Sequence, residues 1–191
     1  MSEQFKKHIL KFTKIADNGF GEIFNSFELL KIKKKQTLHE MNEVCKYNFF
    51  VLKGCLRMFF ISHNGVEHTT EFAIENWWIT DLSSYHRRLP SKFYIQAVEN
   101  STILRIKKDE EDVLLKKHPE MQEYFKCIYQ TATAAAQLRV QFFRLFSREE
   151  LYIHFKENFP EFNQRIPQYL IASYLGFTPQ YLSEIRKKMV S

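Results

Sequence analysis

Cysteine is scarce in this chain, and its spacing excludes several kinds of site. The three cysteines, Cys45, Cys55 and Cys127, are odd in number, and none belongs to a CxxC pair. Cys45 and Cys55 are too few for a four-thiolate iron–sulfur cluster. An odd and sparse set does not make a disulfide framework either. We therefore expect free thiols in a reduced, cytoplasmic protein.

Long apolar runs are also missing. No stretch approaches the roughly 20 consecutive apolar residues that cross a bilayer. No apolar segment near the N-terminus precedes a cleavage site. We expect no membrane partner.

Catalytic and metal-binding signatures are equally absent from the sequence. It contains no P-loop, no serine elbow and no paired-carboxylate motif. Seven histidines are scattered along the chain, and His63 and His68 flank a turn. A His-x-His pair with a downstream Glu and His, as in cupin-type metal sites, does not follow. We therefore expect no enzyme activity, no metal and no other cofactor.

Acidic residues are outnumbered by basic ones. The 28 Lys and Arg residues stand against 22 Asp and Glu, which gives a formal net charge of +6. Half of this excess falls in residues 165–191, where four cations face Glu184 alone. A charge of this sign favours an anionic partner without naming it.

The first half of the chain changes texture near residue 30. Residues 2–30 show the apolar spacing of a helix, broken at Gly19–Gly21, and short runs rich in Phe, Ile, Val, Thr and Tyr follow. These runs lie at residues 49–52, 56–62, 68–74, 92–98 and 102–106. His63-Asn64-Gly65 between two of them is a hairpin signal. Short strands at this spacing, without intervening helices, predict an antiparallel barrel or a double-sheet roll.

A long helix is predicted to begin at Pro119. Apolar and small residues recur along it in steps of four and three, at Tyr124, Ile128, Thr131, Ala135, Leu138, Phe142 and Leu145. Such steps are typical of the seam between paired helices, so we expect a dimerisation helix. The alternative is a single helix lying on its own barrel. Ser147-Arg148-Glu149-Glu150 is a capping box, which predicts a new helix and a hinge at Ser147.

Residues 166–188 indicate two short helices joined by a tight turn. Gly176 supplies the left-handed residue that ends the first helix, and Thr178 offers a hydroxyl N-cap to the second. Leu182 and Ile185 share the inward face of the second helix. This spacing is typical of a helix-turn-helix, whose second helix enters the DNA major groove. The alternative is an ordinary helical hairpin.

Several strings in this order resemble the Crp/Fnr family of bacterial transcription regulators, in particular its short members from Bacteroidetes. The strings are VCK at 44–46, VLKGCLR at 51–57, FAIENWWITDL at 72–82 and RIPQYLIASYLGFTPQYLSEIRKK at 165–188. The resemblance covers nearly the whole chain. It implies an α+β fold, with an N-terminal antiparallel β-roll (a jelly roll of the cyclic-nucleotide-binding type), a long dimerisation helix and a C-terminal helix-turn-helix.

The resemblance also implies domain boundaries. We expect the β-roll with its flanking helices in residues 1–118, the dimerisation helix in 119–146 and the DNA-binding domain in 147–191. The family's final β-hairpin, the wing, is expected to be missing, because the sequence stops just after the second helix. Fewer phosphate contacts would then make DNA affinity modest and steeply dependent on salt.

The effector pocket departs from the family's nucleotide-binding pattern. Thr80 and Asp81 hold the positions of the family's Gly-Glu, and Ser91, followed by Lys92, holds that of the Arg that neutralises the cyclic phosphate. Without that Arg the phosphate loses its bidentate partner, and Lys92 would replace it less well. On the long helix, Ala136 and Gln137 fall where relatives that bind cyclic AMP place Thr and Ser. We expect an effector other than cyclic AMP, or none, and any pocket near Thr80, Asp81, Ser91, Lys92 and Gln137.

The expected DNA-contacting residues lie on both helices of the helix-turn-helix. They are Tyr169, Ser173, Thr178, Gln180, Tyr181, Ser183, Glu184, Arg186, Lys187 and Lys188. The expected partners are double-stranded DNA and a second copy of the chain, with RNA polymerase as a further candidate. The alternative function is a sensor or interaction module of the same fold that has lost specific DNA binding, because Glu184 stands where many relatives have a basic residue.

Overall fold

The computed structural model describes residues 2–16 and 19–189 of the chain. Met1, Val190 and Ser191, at the ends of the expected domains, lie outside the described residues. Helices in the described residues are α1 Ser2–Ile9, α2 Phe20–Asn25, α3 Leu82–Arg87, α4 Lys108–Lys117, α5 Pro119–Leu145, α6 Arg148–Asn158, α7 Pro160–Arg165, α8 Gln168–Leu175 and α9 Pro179–Lys188. Strands are β1 Glu28–Ile32, β2 Thr37–His39, β3 Tyr47–Lys53, β4 Leu56–Ile61, β5 Glu67–Ala73, β6 Trp78–Ile79, β7 Tyr94–Ala97 and β8 Ser101–Lys107.

The strands form two four-stranded sheets, in the orders β1-β8-β3-β6 and β2-β7-β4-β5. The pairs β1–β8, β3–β8 and β4–β7 are antiparallel, as the short hairpin-like spacing of the strands predicts. The expected antiparallel β-roll is therefore confirmed.

Strand β3 supplies both apolar layers of the first compact unit, which comprises residues 1–60 and 71–130. Its side chains alternate, because successive residues of a strand point to opposite faces. Phe49 and Val51 pack into the cluster inside the roll, with Leu56 and Ile95 of the second sheet. Its other face belongs to a second cluster under the helices, which contains Phe50, Leu52, Leu104, Phe5, Ile9, Met121 and Phe125. The roll and its helices thus share one strand as a common wall.

The turn between β3 and β4 depends on Gly54. Its φ of +106° is one that residues with a side chain rarely adopt. A Cβ placed on this residue would lie 2.7 Å from the Cα of Ser101, closer than real Cβ contacts allow. The backbone N–H of Gly54 donates to Glu75 Oε1 at 2.7 Å. Glycine is therefore required here both by the backbone and by the close approach of β8.

Two sequence expectations in this unit are wrong. Helix covers less of residues 2–30 than their apolar spacing predicts, since α1 already ends at Ile9 and β1 already begins at Glu28. The strand region also contains the helix α3, which was not expected. Its start is fixed by Asp81, whose carboxylate accepts from the backbone N–H of Ser84 at 3.1 Å and caps the helix.

The second unit comprises residues 61–70, at the tip of the β4–β5 hairpin, and residues 131–191. Its buried residues come from all four C-terminal helices and from Ile166, between α7 and α8. They include Leu151, Tyr152, Phe155, Phe162, Leu170, Ile171, Leu175, Leu182 and Ile185. The expected capping box is present, because Ser147 Oγ accepts from the backbone N–H of Glu150 and the Glu150 carboxylate accepts from that of Ser147. Helix α7 was not expected.

No helix among the described residues combines the length and apolarity needed to cross a membrane.

A buried hydrogen-bond chain links three elements of the first unit. Trp78 Nε1 lies 2.8 Å and His8 Nδ1 lies 2.9 Å from the hydroxyl of Tyr124. An indole N–H can only donate, so Tyr124 accepts from Trp78 and has its own proton to give to His8 Nδ1. His8 is therefore held as the neutral tautomer. Burial, reinforced by the charge of Lys11, lowers the pKa of His8 to about 4.

This geometry predicts that acid destabilises the fold through His8. A folded-state pKa below the unfolded value of 6.5 means that stability is complete above pH 6.5 and is lost as pH falls towards 4. His8→Asn keeps an acceptor for Tyr124 but does not titrate. We expect the variant to lose less free energy of unfolding between pH 7 and pH 5 than the wild type does, by on the order of 2 kcal/mol.

The measurement is urea unfolding at both pH values, with His63→Asn as the control. His63 lies in the exposed hairpin turn. Equal losses of free energy in all three proteins would contradict the assignment of this acid sensitivity to His8.

Candidate nucleic-acid interface

Helices α8 and α9 form the turn geometry that the sequence predicts. Gly176 ends α8 with a φ of +74°, and the N–H of Phe177 reaches back to the carbonyl of Ala172 at 2.8 Å. The hydroxyl of Thr178 caps α9 by accepting from the N–H of Tyr181 at 3.2 Å. Ala172 is completely buried, which lets the two helices approach closely. The C-terminal helices are consistent with a helix-turn-helix.

The exposed face of α9 carries most of the expected DNA-contacting residues. Leu182 and Ile185 are buried and fix the inward direction. Since successive helical residues turn by about 100°, Gln180, Glu184 and Lys187 point away from that buried stripe. All three are exposed. The arrangement offers amide, carboxylate and ammonium groups side by side on one convex surface.

Residues on either side of this face differ in chemistry. On one side an open groove separates α9 from the start of α8, and it is lined by Gln168, Pro179, Leu182, Ser183, Arg186 and Lys187. Gln168 was not among the expected site residues, yet its Oε1 atom is buried without a hydrogen-bond partner. A glutamine at the first position of α8 gave no signal in the sequence. This side therefore combines the cations of Arg186 and Lys187 with the unused acceptor Oε1 of Gln168.

Tyr181 lies on the other side of the face and is held in place by neighbours. Its hydroxyl donates to Glu149 Oε1 at 3.0 Å. The guanidinium carbon of Arg148 lies 5.3 Å from the ring centroid, and the Phe177 ring contacts it edge-on at 5.6 Å. Arg148 and Glu149 begin α6, and the sequence signalled them only as part of a capping box.

The two expected residues on α8 behave differently. Tyr169 is about half exposed and available to a ligand. Ser173 is engaged: its hydroxyl donates to the carbonyl of Glu67 at 2.8 Å and accepts from the N–H of Thr69 at 2.9 Å. The expectation that Ser173 contacts the DNA backbone is therefore corrected, because its only proton is committed to the hairpin. Arg139 binds the same hairpin, donating to the carbonyl of Thr70 at 2.6 Å.

The expected effector residues fall into two groups. Thr80, Asp81 and Ser91 are buried together. Ser91 Oγ donates to Asp81 Oδ2 at 2.7 Å and accepts from the N–H of Phe93 at 3.0 Å, while Thr80 Oγ1 donates to the carbonyl of Tyr47 at 2.9 Å. All three side chains thus have hydrogen-bond partners within the first unit.

Lys92 does not join that network, and its side chain is exposed. Gln137 is also exposed and belongs to the second unit of the chain. The idea that Lys92 takes over the role of the family's phosphate-binding Arg is therefore not supported by its position. Among the described residues, no group of three or more His, Cys, Asp or Glu side chains could hold a metal ion.

The α5 residues that were expected to form a dimer seam fall into a buried group and an exposed group. Tyr124 is 0% exposed inside its own chain, and Ile128 packs on the same cluster. Tyr124 is therefore removed from the expected dimer contacts, because a fully buried side chain cannot reach a partner. Phe142 stacks on Phe146, with ring centroids 5.4 Å apart.

The remaining seam positions, Thr131, Ala135, Leu138 and Leu145, are exposed. Leu138 is 51% and Leu145 is 67% exposed. The expected seam is thus reduced to its C-terminal part, where two leucines one heptad apart face outward.

Comparison with known proteins defines the class of the first domain. Residues 29–118 match the cyclic nucleotide-binding domain family. No curated protein sequence matches the chain at a significant level. The chain thus contains a domain of the cyclic nucleotide-binding type, followed by helices consistent with a helix-turn-helix.

Solved structures match over most of the chain. FixK2 from Bradyrhizobium japonicum is 12% identical, with a TM-score of 0.70, over 85% of this chain and 84% of its own. The c-di-GMP responsive regulator CLP from Xanthomonas campestris is 9% identical, with a TM-score of 0.72, over 88% and 89%. A Crp/Fnr family protein from Eubacterium rectale is 17% identical, with a TM-score of 0.71, over 92% and 84%. The resemblance to Crp/Fnr transcription regulators is confirmed, and at these identities it establishes the fold alone.

Proposed function

We propose that this chain is a DNA-binding transcription regulator of the Crp/Fnr type, which acts as a homodimer and does not respond to cyclic AMP. The observation that carries the proposal is the exposed face of α9, which presents Gln180, Glu184 and Lys187 opposite a buried stripe. A helix capped by Thr178 points its N-terminal residues into a major groove when it docks as a recognition helix. Two of the solved structures that match, CLP and the Eubacterium rectale protein, are regulators by description, which supports the same class.

Phosphate contacts fit the charge at the end of α9. Arg186, Lys187 and Lys188 follow one another in its last turn. Cations there also suit the negative end of the helix dipole. These three side chains are proposed to bind phosphates, whereas Gln180, nearer the start of α9, is proposed to read a base, because an amide pairs bidentately with adenine. Cys45, Cys55 and Cys127 as reduced cysteines fit the cytoplasm, where such a regulator would also meet RNA polymerase.

Dimerisation is proposed through the C-terminal part of α5. Leu138 and Leu145 are exposed at positions one heptad apart, an arrangement that suits a paired helix of a second copy. If the two α9 helices of a C2 pair read one site, we expect a palindrome with half-sites about one DNA turn apart, roughly 34–36 Å.

The dimer is tested by Leu138→Lys together with Leu145→Lys. Charges on a buried seam lose their hydration, so we expect this double variant to sediment as a monomer. Val140→Lys is the control, because Val140 is equally exposed at 54% but points to the opposite side of α5. Sedimentation velocity of all three proteins decides the matter, and a dimer in the double variant would contradict the seam.

Base reading is tested by comparing Gln180→Ala with Lys187→Ala. We expect Gln180→Ala to cost about 1–3 kcal/mol on the specific duplex and to relax one base position. Lys187→Ala should weaken binding to all sequences alike and lower the salt slope by about one unit. Lys126→Ala removes the same charge from an exposed site in the first unit and serves as the control.

Fluorescence anisotropy on specific and scrambled duplexes at several salt concentrations provides the measurement. Parallel losses of both variants on both duplexes would remove Gln180 as a base reader.

Cyclic AMP is expected not to bind specifically at physiological concentration. Ser91 stands where relatives place the phosphate-binding Arg, and its hydroxyl is already bonded to Asp81. No cation therefore compensates the cyclic phosphate at this position. Calorimetric titration provides the measurement, with a cyclic-AMP-binding regulator of the same fold as positive control. Saturable micromolar binding at one site per chain would overturn this part of the proposal.

The alternative function, an interaction module without specific DNA binding, is favoured by one observation. Glu184 lies on the exposed face of α9, and a second carboxylate, Glu149, accepts a hydrogen bond from the hydroxyl of Tyr181. Carboxylates repel phosphates, although a glutamate can also accept from the amine of cytosine. If the wild-type protein binds no duplex at low salt, the alternative replaces the regulator.

A further inference from the structure

The contact between Tyr181 and Glu149 defines what Tyr181 can offer to DNA. A phenol has one proton and two lone pairs, whereas an ionised carboxylate only accepts hydrogen bonds. In the 3.0 Å contact the phenol must therefore be the donor. With its proton committed, the oxygen of Tyr181 has only acceptor capacity left for any other partner.

The carboxylate of Glu149 is well placed to accept this hydrogen bond. Glu149 lies in the first turn of α6, directly after the capping residue Ser147. Its own backbone N–H, and then the phenol of Tyr181, lower the pKa of Glu149, so that it stays ionised at neutral pH. The same carboxylate raises the pKa of Tyr181, which keeps the phenol protonated. Both partners thus remain in the states that the hydrogen bond requires.

The surroundings of the ring limit its movement and offset the negative charge. The Phe177 ring makes a T-shaped contact with the Tyr181 ring, and the guanidinium of Arg148 lies against the Tyr181 ring as well. Arg148 and Lys188 also lie close enough to Glu149 to stabilise its charge. The local charge is therefore not purely negative, and a nearby phosphate backbone can be tolerated. The phenol oxygen stays beside the exposed face of α9.

We infer that Glu149 fixes Tyr181 as an acceptor-only base reader that selects an exocyclic amine, on adenine or cytosine, in the major groove. Adenine N6 and cytosine N4 present donors there, whereas guanine O6 and N7 and thymine O4 present acceptors. Phosphate oxygens are acceptors as well, so Tyr181 is not expected to bind phosphates. Glu149 acts through Tyr181 and is a positioning residue. This inference rests on the proposed DNA-binding function.

Three variants separate the hydrogen bond from the charge. Glu149→Gln and Glu149→Ala remove the same charge, but only the glutamine keeps an oxygen that can accept from Tyr181. Tyr181→Phe removes the acceptor altogether. Thermal unfolding of each variant checks that the fold is intact, which is expected because both side chains lie near the surface.

Selection from randomised duplexes, followed by competition binding, gives the main readout. In the wild type we expect one position, duplicated by the palindrome, that prefers A or C over G or T by about tenfold. Glu149→Gln should keep this preference. Glu149→Ala should lose it, because the freed phenol proton can then be given to guanine or thymine, and Tyr181→Phe should lose it as well.

A second readout needs no DNA. The ring carbon that bears the hydroxyl of Tyr181, followed by 13C NMR, should shift in Glu149→Ala and stay near its wild-type value in Glu149→Gln. An unchanged resonance in Glu149→Ala would overturn the hydrogen bond itself.

The remaining outcomes of the binding experiments distinguish failure of this inference from failure of the proposed function. A specific duplex whose preferred bases are the same in the wild type, Glu149→Ala and Tyr181→Phe would overturn the inference and leave the proposed function standing. A Tyr181-dependent preference for G or T would also overturn it. If the wild type binds no duplex, the proposed function fails, and the base-reading role fails with it.

Discussion

The alternation of apolar residues along β3 is the constraint on which the first unit depends. Phe49 and Val51 fill the roll while Phe50 and Leu52 fill the space under the helices. A shift of this strand by one residue would exchange the two sets and misplace both layers at once. Pairing with β8 over most of its length fixes that register, and the close approach at Gly54 anchors its end. The helical layer can therefore form only where the sheet is correctly paired.

Much of this fold was predictable because its signals are local. The hairpin turn at Gly65, the capping box at Ser147 and the left-handed Gly176 each depend on residues within one or two turns of chain. The class of the C-terminal helices followed from such signals. Helix α3 was missed because its cap, Asp81, is recognised only through its bond to Ser84, inside a segment otherwise rich in strand formers.

Site residues were less predictable, because their roles depend on contacts between distant parts of the sequence. Tyr124 fits a dimer seam by spacing, but its hydroxyl is needed by Trp78 and His8, which lie 46 and 116 residues away in sequence. Helical periodicity predicts that Gln180 and Lys187 face away from the buried stripe, and both are exposed; their contact with DNA stays a prediction. Glu149 gave no sign of a contact with Tyr181, which follows it by 32 residues. The expected effector pocket is a further example. In the sequence, Ser91 only marks the loss of a phosphate-binding Arg, whereas in the fold its hydroxyl donates to the carboxylate of Asp81.

The two hydrogen bonds of Ser173 have a consequence for protein engineering. They join the first helix of the helix-turn-helix to the backbone of the β4–β5 hairpin, at Glu67 and Thr69. A pair of helices transplanted from another protein, with a different side chain at this position, would leave those backbone groups without a match. Chimaeras that exchange the hairpin tip and the helix together should therefore fold more reliably than those that exchange the helix alone. The two segments, more than a hundred residues apart in sequence, behave as one exchangeable module.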